Sequence, residues 1–351
     1  MANFKYSALA DWLREQIASG RFASGDRLPT EQELGHRFDL SRDTVRKGLA
    51  AMEEEGLIYK VRGSGTFVRE AAQTPQASNS RRVGVMMNDV DNYIFPTIVR
   101  GISGVLDEAG YTLSIQITSN QISKERAILE DFASGDYAGL IIEPTRAALP
   151  PVNYDMYERL SQIKPAVLIH AKIPTLPLTS VTMGDERAGY KLTSWLLSQG
   201  LRNVCIFCKF DEQTGTQRYL GYAHAYQDAG LPIPDGNIFW VPGDRMLEPF
   251  DEPVLPHVLE AITCCEAVIC HDDRLALKVR RFMSAHDIPA KLVCGFDNSD
   301  LAREYHIPSA SHPKEKLGEE AARRLLEKIK NPGADLSYDF DPEINLNGYD
   351  N

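Results

Sequence analysis

Apolar residues recur at helical spacing near the start of the chain. Tyr6, Leu9, Leu13 and Ile17 share one face over residues 5–19 and Gly20 supplies a stop, which predicts a first amphipathic helix. A turn-like ASGDRLP follows. Thr30-Glu-Gln-Glu33 then has the spacing of a capping box, opening a short second helix with Leu34 and Phe38 inward. Ser41 caps a third helix whose apolar positions Val45, Leu49 and Met52 repeat at spacings of four and three, while Arg42, Thr44, Arg46 and Lys47 lie on its other face. Beyond Gly56, LIYKVR and TFV read as two short strands around Gly63-Ser64-Gly65. Three helices and a hairpin in this order predict a winged helix-turn-helix.

The pattern changes after Val68. EAAQTPQASNSRR is small and polar, cannot bury a core, and predicts a flexible linker over residues 70–81 between a head, 1–69, and a body, 82–351. From Arg82 onward continuous apolar runs (VGVMM, LSIQIT, GLIIE, AVLIH, NVCIFC, AVIC, KLVCGF) alternate with helical patterns at 97–109, 123–134, 186–199, 216–229, 273–286 and 314–330. Buried strands separated by amphipathic helices predict parallel sheets with helices on both faces. The body is long for one such sheet, so two α/β lobes with a ligand cleft between them are expected.

Charge sharpens this division. The chain carries a net charge of −11, yet residues 1–70 hold 11 basic and 11 acidic side chains, so all the excess acid lies in the body. A nucleic-acid contact therefore belongs to the head, with Arg81 and Arg82 adding positive charge just after it. No run is long and apolar enough to span a bilayer and the first residues lack the order of a signal peptide, so a cytoplasmic protein without membrane contact is expected. The six cysteines all lie in the body. Cys205 and Cys208 have a C-x-x-C spacing, but inside a strand-like run and without a second ligand pair, so neither a metal nor another cofactor is expected.

On the third helix Arg42, Thr44 and Arg46 offer donors to base edges and phosphates in a major groove, and Arg62 at the hairpin tip can enter the adjacent minor groove. A polyol, by contrast, requires polar groups converging on its hydroxyls, and these gather at the C-terminal ends of strands facing a cleft. Arg218 is expected at the start of a helix, Asp272 after the strand AVIC and Asp297 after LVCGF. His170, ending AVLIH, is a further candidate, as are Glu143, Tyr93 and His312. Each of these four also has a plain structural reading, such as capping a turn or packing between lobes. Of Asp272 and Asp273, the second is expected to cap the following helix.

Arg27-Leu-Pro-Thr-Glu-Gln-Glu-Leu34, Ser41-Arg-Asp-Thr-Val-Arg-Lys47, Glu55-Gly-Leu-Ile58 and Gly63-Ser-Gly-Thr-Phe-Val68 resemble the signature of GntR-type winged-helix regulators. That resemblance implies that Arg42, Thr44 and Arg46 read bases and phosphates, that Lys5, Arg27 and Glu31 position the head, and that Arg62 with Gly63 forms the wing contact. Arg82-Val-Gly-Val85, Phe95-Pro-Thr-Ile-Val-Arg-Gly101, Gly139-Leu-Ile-Ile142, Arg218-Tyr-Leu-Gly-Tyr222, Asp272-Asp-Arg-Leu-Ala-Leu277 and Gly295-Phe-Asp-Asn298 are similar to the effector domain of LacI/GalR repressors, itself like periplasmic sugar-binding proteins. In such domains the matching Arg and carboxylate positions hold sugar hydroxyls; at His170 the family often has Asp or Asn. The pairing of the two parts, with Tyr93-Ile-Phe-Pro96 and Ile142-Glu-Pro-Thr145, resembles the arabinose-responsive repressors.

The expectation is a sugar-responsive regulator that binds double-stranded operator DNA as a homodimer and is released by L-arabinose or a related sugar. The rival is a cytoplasmic sugar-processing enzyme on an α/β two-lobed domain. Against it, the chain carries no G-x-S-x-G, P-loop, dinucleotide-binding or H-E-x-x-H motif.

Overall fold

A computed structural model describes residues 3–18, 21–22, 25–54, 57–61, 65–68, 80–89, 93–245, 250, 255–334 and 336–349. The chain divides into two compact units, residues 1–76 and 77–351. Arg62, Gly63 and residues 69–79, which include most of the expected linker, lie outside the described residues.

In the first unit, α1 (Asn3–Ala18), α2 (Glu31–Phe38) and α3 (Arg42–Glu54) precede an antiparallel pair, β1 (Ile58–Val61) and β2 (Gly65–Val68), in which Ile58 faces Val68. The expected capping box is present: Thr30 Oγ1 accepts from Glu33 N at 3.3 Å, and Glu33 Oε2 accepts from Thr30 N at 2.7 Å. Asp39 takes the left-handed backbone (φ 51°) that ends α2, and Ser41 Oγ accepts from Thr44 N at 3.4 Å to open α3. Leu9, Leu13, Leu34, Val45, Leu49, Met52, Ile58 and Val68 form one core. Removing these side chains from water supplies the unit's main stabilisation, at about 25 cal/mol per Å² of apolar surface.

The second unit contains two six-stranded sheets. The first runs β13-β7-β6-β5-β3-β4, from β3 (Arg82–Met87), β4 (Thr112–Ile117), β5 (Gly139–Ile142), β6 (Ala166–Ile169), β7 (Thr179–Thr182) and β13 (Tyr338–Asp339), all paired in parallel. The second runs β14-β12-β11-β10-β8-β9, from β8 (Val204–Lys209), β9 (Ile238–Val241), β10 (Ala267–Ile269), β11 (Leu292–Asp297), β12 (Ser309–Ser311) and β14 (Ile344–Asn345). It is parallel except where β14 pairs antiparallel with β12.

The expected helices appear as α4 (Phe95–Glu108), α5 (Ile122–Ser134), α7 (Asp185–Ser198), α8 (Gln213–Asp228), α10 (Asp273–Ala285) and α12 (Lys314–Lys330). The sequence reading did not include α6 (Tyr154–Ile163), α9 (Leu255–Cys264) or α11 (Asp300–Glu304). Helix α12 returns to pack on α4 and the first sheet, so the chain crosses between lobes three times: after β7, after β12 and after β13. Arg81 and Arg82 lie over the rings of Tyr111 and Tyr137, at 5.0 and 4.2 Å from the ring centres, which accounts for their charge within the first lobe.

Candidate DNA interface and effector cleft

On the head, Arg42 and Arg46 project from α3 with side chains 75% and 56% exposed, and both turn their Nε toward Glu31 on α2. Glu31 Oε2 accepts from Arg42 at 3.3 Å and from Arg46 at 3.0 Å. Glu31 thus orients two cations on the exposed side of α3. Thr44 shares a 2.8 Å hydrogen bond between its hydroxyl and that of Ser41, at the N-terminus of α3. Arg27 makes a bridge with Phe67 of the hairpin, and its guanidinium lies where a Cβ on Gly65 (φ 132°) would sit, 2.7 Å from Nε. Arg27 therefore packs against the start of β2, at the loop end of the hairpin, which keeps position 65 a glycine. Lys5 lies in α1, with its side chain outside the described residues. Tyr59, exposed, stacks on the half-buried Phe67 with ring centres 5.7 Å apart, a pair that the sequence reading passed over.

In the body, backbone strain collects at strand ends. Ser119 and Asn120 after β4, Arg146 after β5, His170 after β6, and Asp297 and Asn298 at the end of β11 all have positive φ, between 44° and 96°. Such conformations cost about 1–3 kcal/mol each and persist where the surrounding structure enforces them. Of these, Asn120, Arg146, His170 and Asp297 meet polar groups of the opposing lobe. Tyr93 donates its hydroxyl to Asp297 Oδ2, and the Arg274 guanidinium lies 5.0 Å from the centre of the Tyr93 ring. Lys172 N donates to Gln213 Oε1 at 2.7 Å, and Gln213 Nε2 returns a bond to Lys172 O at 3.2 Å. Asn120 Nδ2 donates to Asp211 Oδ2 at 3.4 Å. These contacts join the first lobe to the second, so the cleft is closed.

Arg218 sits in the second turn of α8 rather than at its start. A Cβ on Gly221 of α8 would lie 1.9 Å from Glu186 O, and one on Gly189 of α7 2.2 Å from Arg218 O, so the two helices touch backbone to backbone. That approach seats Arg218 Nε on Asp185 Oδ1 at 2.8 Å, with Arg218 5% exposed and its guanidinium 4.3 Å from the centre of the Phe296 ring. Burial raises the Asp185 carboxyl above its ordinary value despite the arginine.

The expected helix cap falls on Asp272 and not on Asp273. Asp272 caps α10, accepting from Leu275 N at 2.7 Å, and its other oxygen faces Arg274 at 3.5 Å. Asp273 is buried, accepting from Ser309 Oγ at 2.6 Å and Ser299 N at 2.8 Å. Burial and the neighbouring Asp297 push its carboxyl up to about 7. The extended backbone of Asp272 (φ −145°) suits the cap, and this leaves Asp273 as the first helical residue, turned toward β11 and β12.

His170 Nδ1 bonds Glu143 Oε1 at 2.9 Å, and its Nε2 lies 3.1 Å from His312 Nε2. Lys209 donates to Glu212 at 2.8 Å beside them. Glu143, His170, Lys209, Glu212, Asn88 and Asn120 line a cavity of about 320 Å³, within the range of small-ligand sites. Around the closed cleft, buried polar atoms remain without a hydrogen-bond partner: Asn120 Oδ1, His271 Nδ1, Arg274 Nε and His312 Nδ1. Unpaired buried polar atoms cost about 1–3 kcal/mol each unless a polar partner meets them; Thr179 Oγ1 on β7 and Thr193 Oγ1 on α7 are also unpaired among the described residues. Tyr93, Asp297 and His312 line a second, larger cavity of about 960 Å³, and the bond between His170 and His312 joins the two; Arg218 and Asp272 line neither. Sequence reasoning missed Asn120, Asp185, Lys209, Glu212, His271 and Arg274. The five buried cysteines are free and lie in the body, and no cluster of potential metal ligands occurs among the described residues.

Residues 5–68 match the bacterial regulatory proteins of the gntR family, and residues 193–344 match the periplasmic binding protein-like domain. The arabinose metabolism transcriptional repressor of Geobacillus stearothermophilus is 31% identical over 97% of this chain and 96% of its own length. The chain belongs to this repressor family. The Halalkalibacterium halodurans protein of the same description is 30% identical over 97% of the chain and 93% of its own. Among solved structures, the transcription regulator CcpA of Lactococcus lactis superposes with a TM-score of 0.65 at 19% identity, covering 76% of this chain and 97% of that one. A LacI transcriptional regulator from Alkaliphilus metalliredigens complexed with D-xylulofuranose gives 0.64 at 19%, covering 76% and 97%. As a member of the family the repressor is a DNA-binding transcriptional regulator and not an enzyme, and its body has the fold of LacI-type effector domains. No helix among the described residues is long and apolar enough to cross a membrane.

Proposed function

We propose that the chain represses transcription as a homodimer on double-stranded operator DNA and leaves it when L-arabinose, or a closely related pentose, occupies the inter-lobe cleft. The observation that carries the effector half of this reading is the set of unpaired buried atoms, Asn120 Oδ1, His271 Nδ1, Arg274 Nε and His312 Nδ1, around a closed polar cleft. A polyol offers rotatable hydroxyls that donate and accept, which suits a site holding both donor and acceptor orphans. Tyr93, Glu143, His170, Arg218, Asp272, Asp297 and His312 are assigned to that site.

On the head, Arg42, Thr44 and Arg46 contact bases and phosphates in the major groove, Glu31 orients the two arginines, Lys5 and Arg27 seat the domain, and Arg62 with Gly63 reaches the minor groove. Two-fold symmetry doubles the specific contacts of a short half-site. The names of the Geobacillus and Halalkalibacterium relatives support arabinose as the effector class, and a protein acting on chromosomal DNA works in the cytoplasm. The test is a mobility shift of the full chain on its own upstream DNA with L-arabinose, D-xylose, D-ribose and D-galactose. Release by a pentose supports the reading; tighter DNA binding, or indifference to all four, overturns it.

A further inference from the structure

Glu143, His170 and His312 form a hydrogen-bonded chain from the end of β5 to the segment where the polypeptide crosses between lobes after β12. Glu143 Oε2 also accepts from Asn88 N at 2.9 Å, and with the carboxylate ionised Oε1 can only accept as well. His170 Nδ1 must then carry a proton. The remaining ring nitrogens have two solutions. With His170 protonated at Nε2 as well, His312 Nε2 accepts, and the neutral His312 ring carries its proton on Nδ1. With His170 neutral, His312 donates from Nε2 and its Nδ1 is bare. In both, His312 Nδ1 is buried and without a protein partner.

We propose that Glu143 and His170 are positioning residues that set whether His312 Nδ1 offers the effector a donor or an acceptor, with a single proton on the histidine pair as the selector. This rests on the cleft being the effector site. The charges around the pair assign the proton to His170. His170 faces Glu143, Asp185 and Glu212, whereas His312 faces Lys314, Arg218 and His170 itself. Burial opposes a charge on either ring, yet the bond to Glu143 and its charge hold His170 above its ordinary value. Burial and the cations push His312 well below its own. Glu143, with Lys209 also near, stays ionised below the usual carboxylate value despite its burial.

The donor form is therefore the low-pH form, and it is lost as pH rises through the raised value of His170. A hydroxyl rotates to satisfy either form; an ether or ring oxygen, which only accepts, is satisfied by the donor form alone. Proton uptake thus selects for a cyclic sugar held through its ring oxygen.

The experiment is imidazole ¹⁵N NMR on the intact, ligand-free chain from pH 6 to 9, with His170→Asn and His312→Gln for assignment, followed by L-arabinose titrations across the same range. The expected result is a His312 ring that stays neutral while its proton moves from Nδ1 to Nε2, and an L-arabinose affinity that falls about 3- to 10-fold over that transition, the effect of one hydrogen bond. Glu143→Gln, which keeps an acceptor but loses the charge, moves the transition to lower pH, a shift that a merely structural residue would not cause. A His312 ring fixed in one tautomer, a charged His312, or an affinity flat across the transition overturns the proposal. Failure of every pentose to bind would sink the sugar reading instead, while the ligand-free spectra still decide the relay.

Discussion

The Nε of Arg46 lies 3.2 and 3.0 Å from the two carboxylate oxygens of Glu31, tying the middle of α3 to the first turn of α2. This bond uses Nε alone and leaves the terminal Nη fork for a base or phosphate. Arg46→Ala is expected to weaken operator binding by about 1–3 kcal/mol, the range of a bidentate base contact, with sugar binding unchanged. Glu31→Gln keeps the side-chain shape but frees both arginines, so its loss should concentrate on the cognate site and spare non-specific DNA. Fluorescence anisotropy on operator and scrambled duplexes at one salt concentration separates the two. An equal gain on both duplexes would reduce Glu31 to a bulk charge effect, and no loss on the operator would remove it from the orienting role.

The buried pair of Arg218 and Asp185 carries a larger expected effect. Asp185→Ala leaves a guanidinium 5% exposed with its carboxylate gone, and breaking such a pair costs about 3–5 kcal/mol. Urea unfolding of the whole chain, followed by a probe of the body, measures it. A loss under 1 kcal/mol would show that water reaches the site.

Backbone contact between α7 and α8 predicts a contrast between two glycines. Gly221→Ala drives a Cβ into Glu186 O and should cost at least about 1–3 kcal/mol through overpacking, whereas Gly104→Ala, on a helix face with nothing within 4 Å, should stabilise by about 0.4–1 kcal/mol. Thermal melts of both variants decide the point, and similar melting temperatures would contradict the close approach.

Much of this arrangement is legible in the sequence because it depends on local periodicity. The capping box at Thr30 and Glu33 and the runs of β3, β5, β6 and β8 need no knowledge of the other lobe. What escaped depends on tertiary placement. β7 is Thr-Ser-Val-Thr, polar by composition yet fully buried between neighbouring strands, so alternation does not mark it. Asp272 and Asp273 are chemically identical neighbours, and only the register of α10 decides which caps and which is buried. Lys209 and Glu212 follow β8 while His271 and Arg274 follow β10, and what marks them, an unpaired nitrogen or a shared cavity wall, exists only after folding.

Asp273 gives a stability trend with a definite sign. Its carboxyl, raised to about 7 in the folded chain from an ordinary 3.8, favours the protonated form on folding. Its contribution is fully present below the unfolded value, declines as pH rises between the two values, and is lost above about 7. Asp273→Asn removes that titration while keeping polar atoms near Ser309 and Ser299. The variant should therefore gain stability relative to the parent as pH rises from 5 to 8. A difference in melting temperature that stays constant over this range would mean the carboxyl titrates normally.

Gln213 clasps the backbone of Lys172 through both its amide atoms, a pair of bonds between lobes that belongs to the closed cleft. An effector shifts the closed and open states only by its differential affinity for them, and DNA and effector must oppose each other by the same factor. Gln213→Ala removes the clasp without touching the head or the cavity lining. Each lost bond at this exposed position is worth about 0.5–1.5 kcal/mol, so losing both should make closure harder by roughly 5- to 150-fold. The expected phenotype is normal operator affinity without sugar and a correspondingly higher concentration of L-arabinose for half release, measured by mobility shift. If half release is unchanged, closure does not drive release; if operator affinity itself falls, the clasp supports the DNA-bound form and the direction of the switch is reversed.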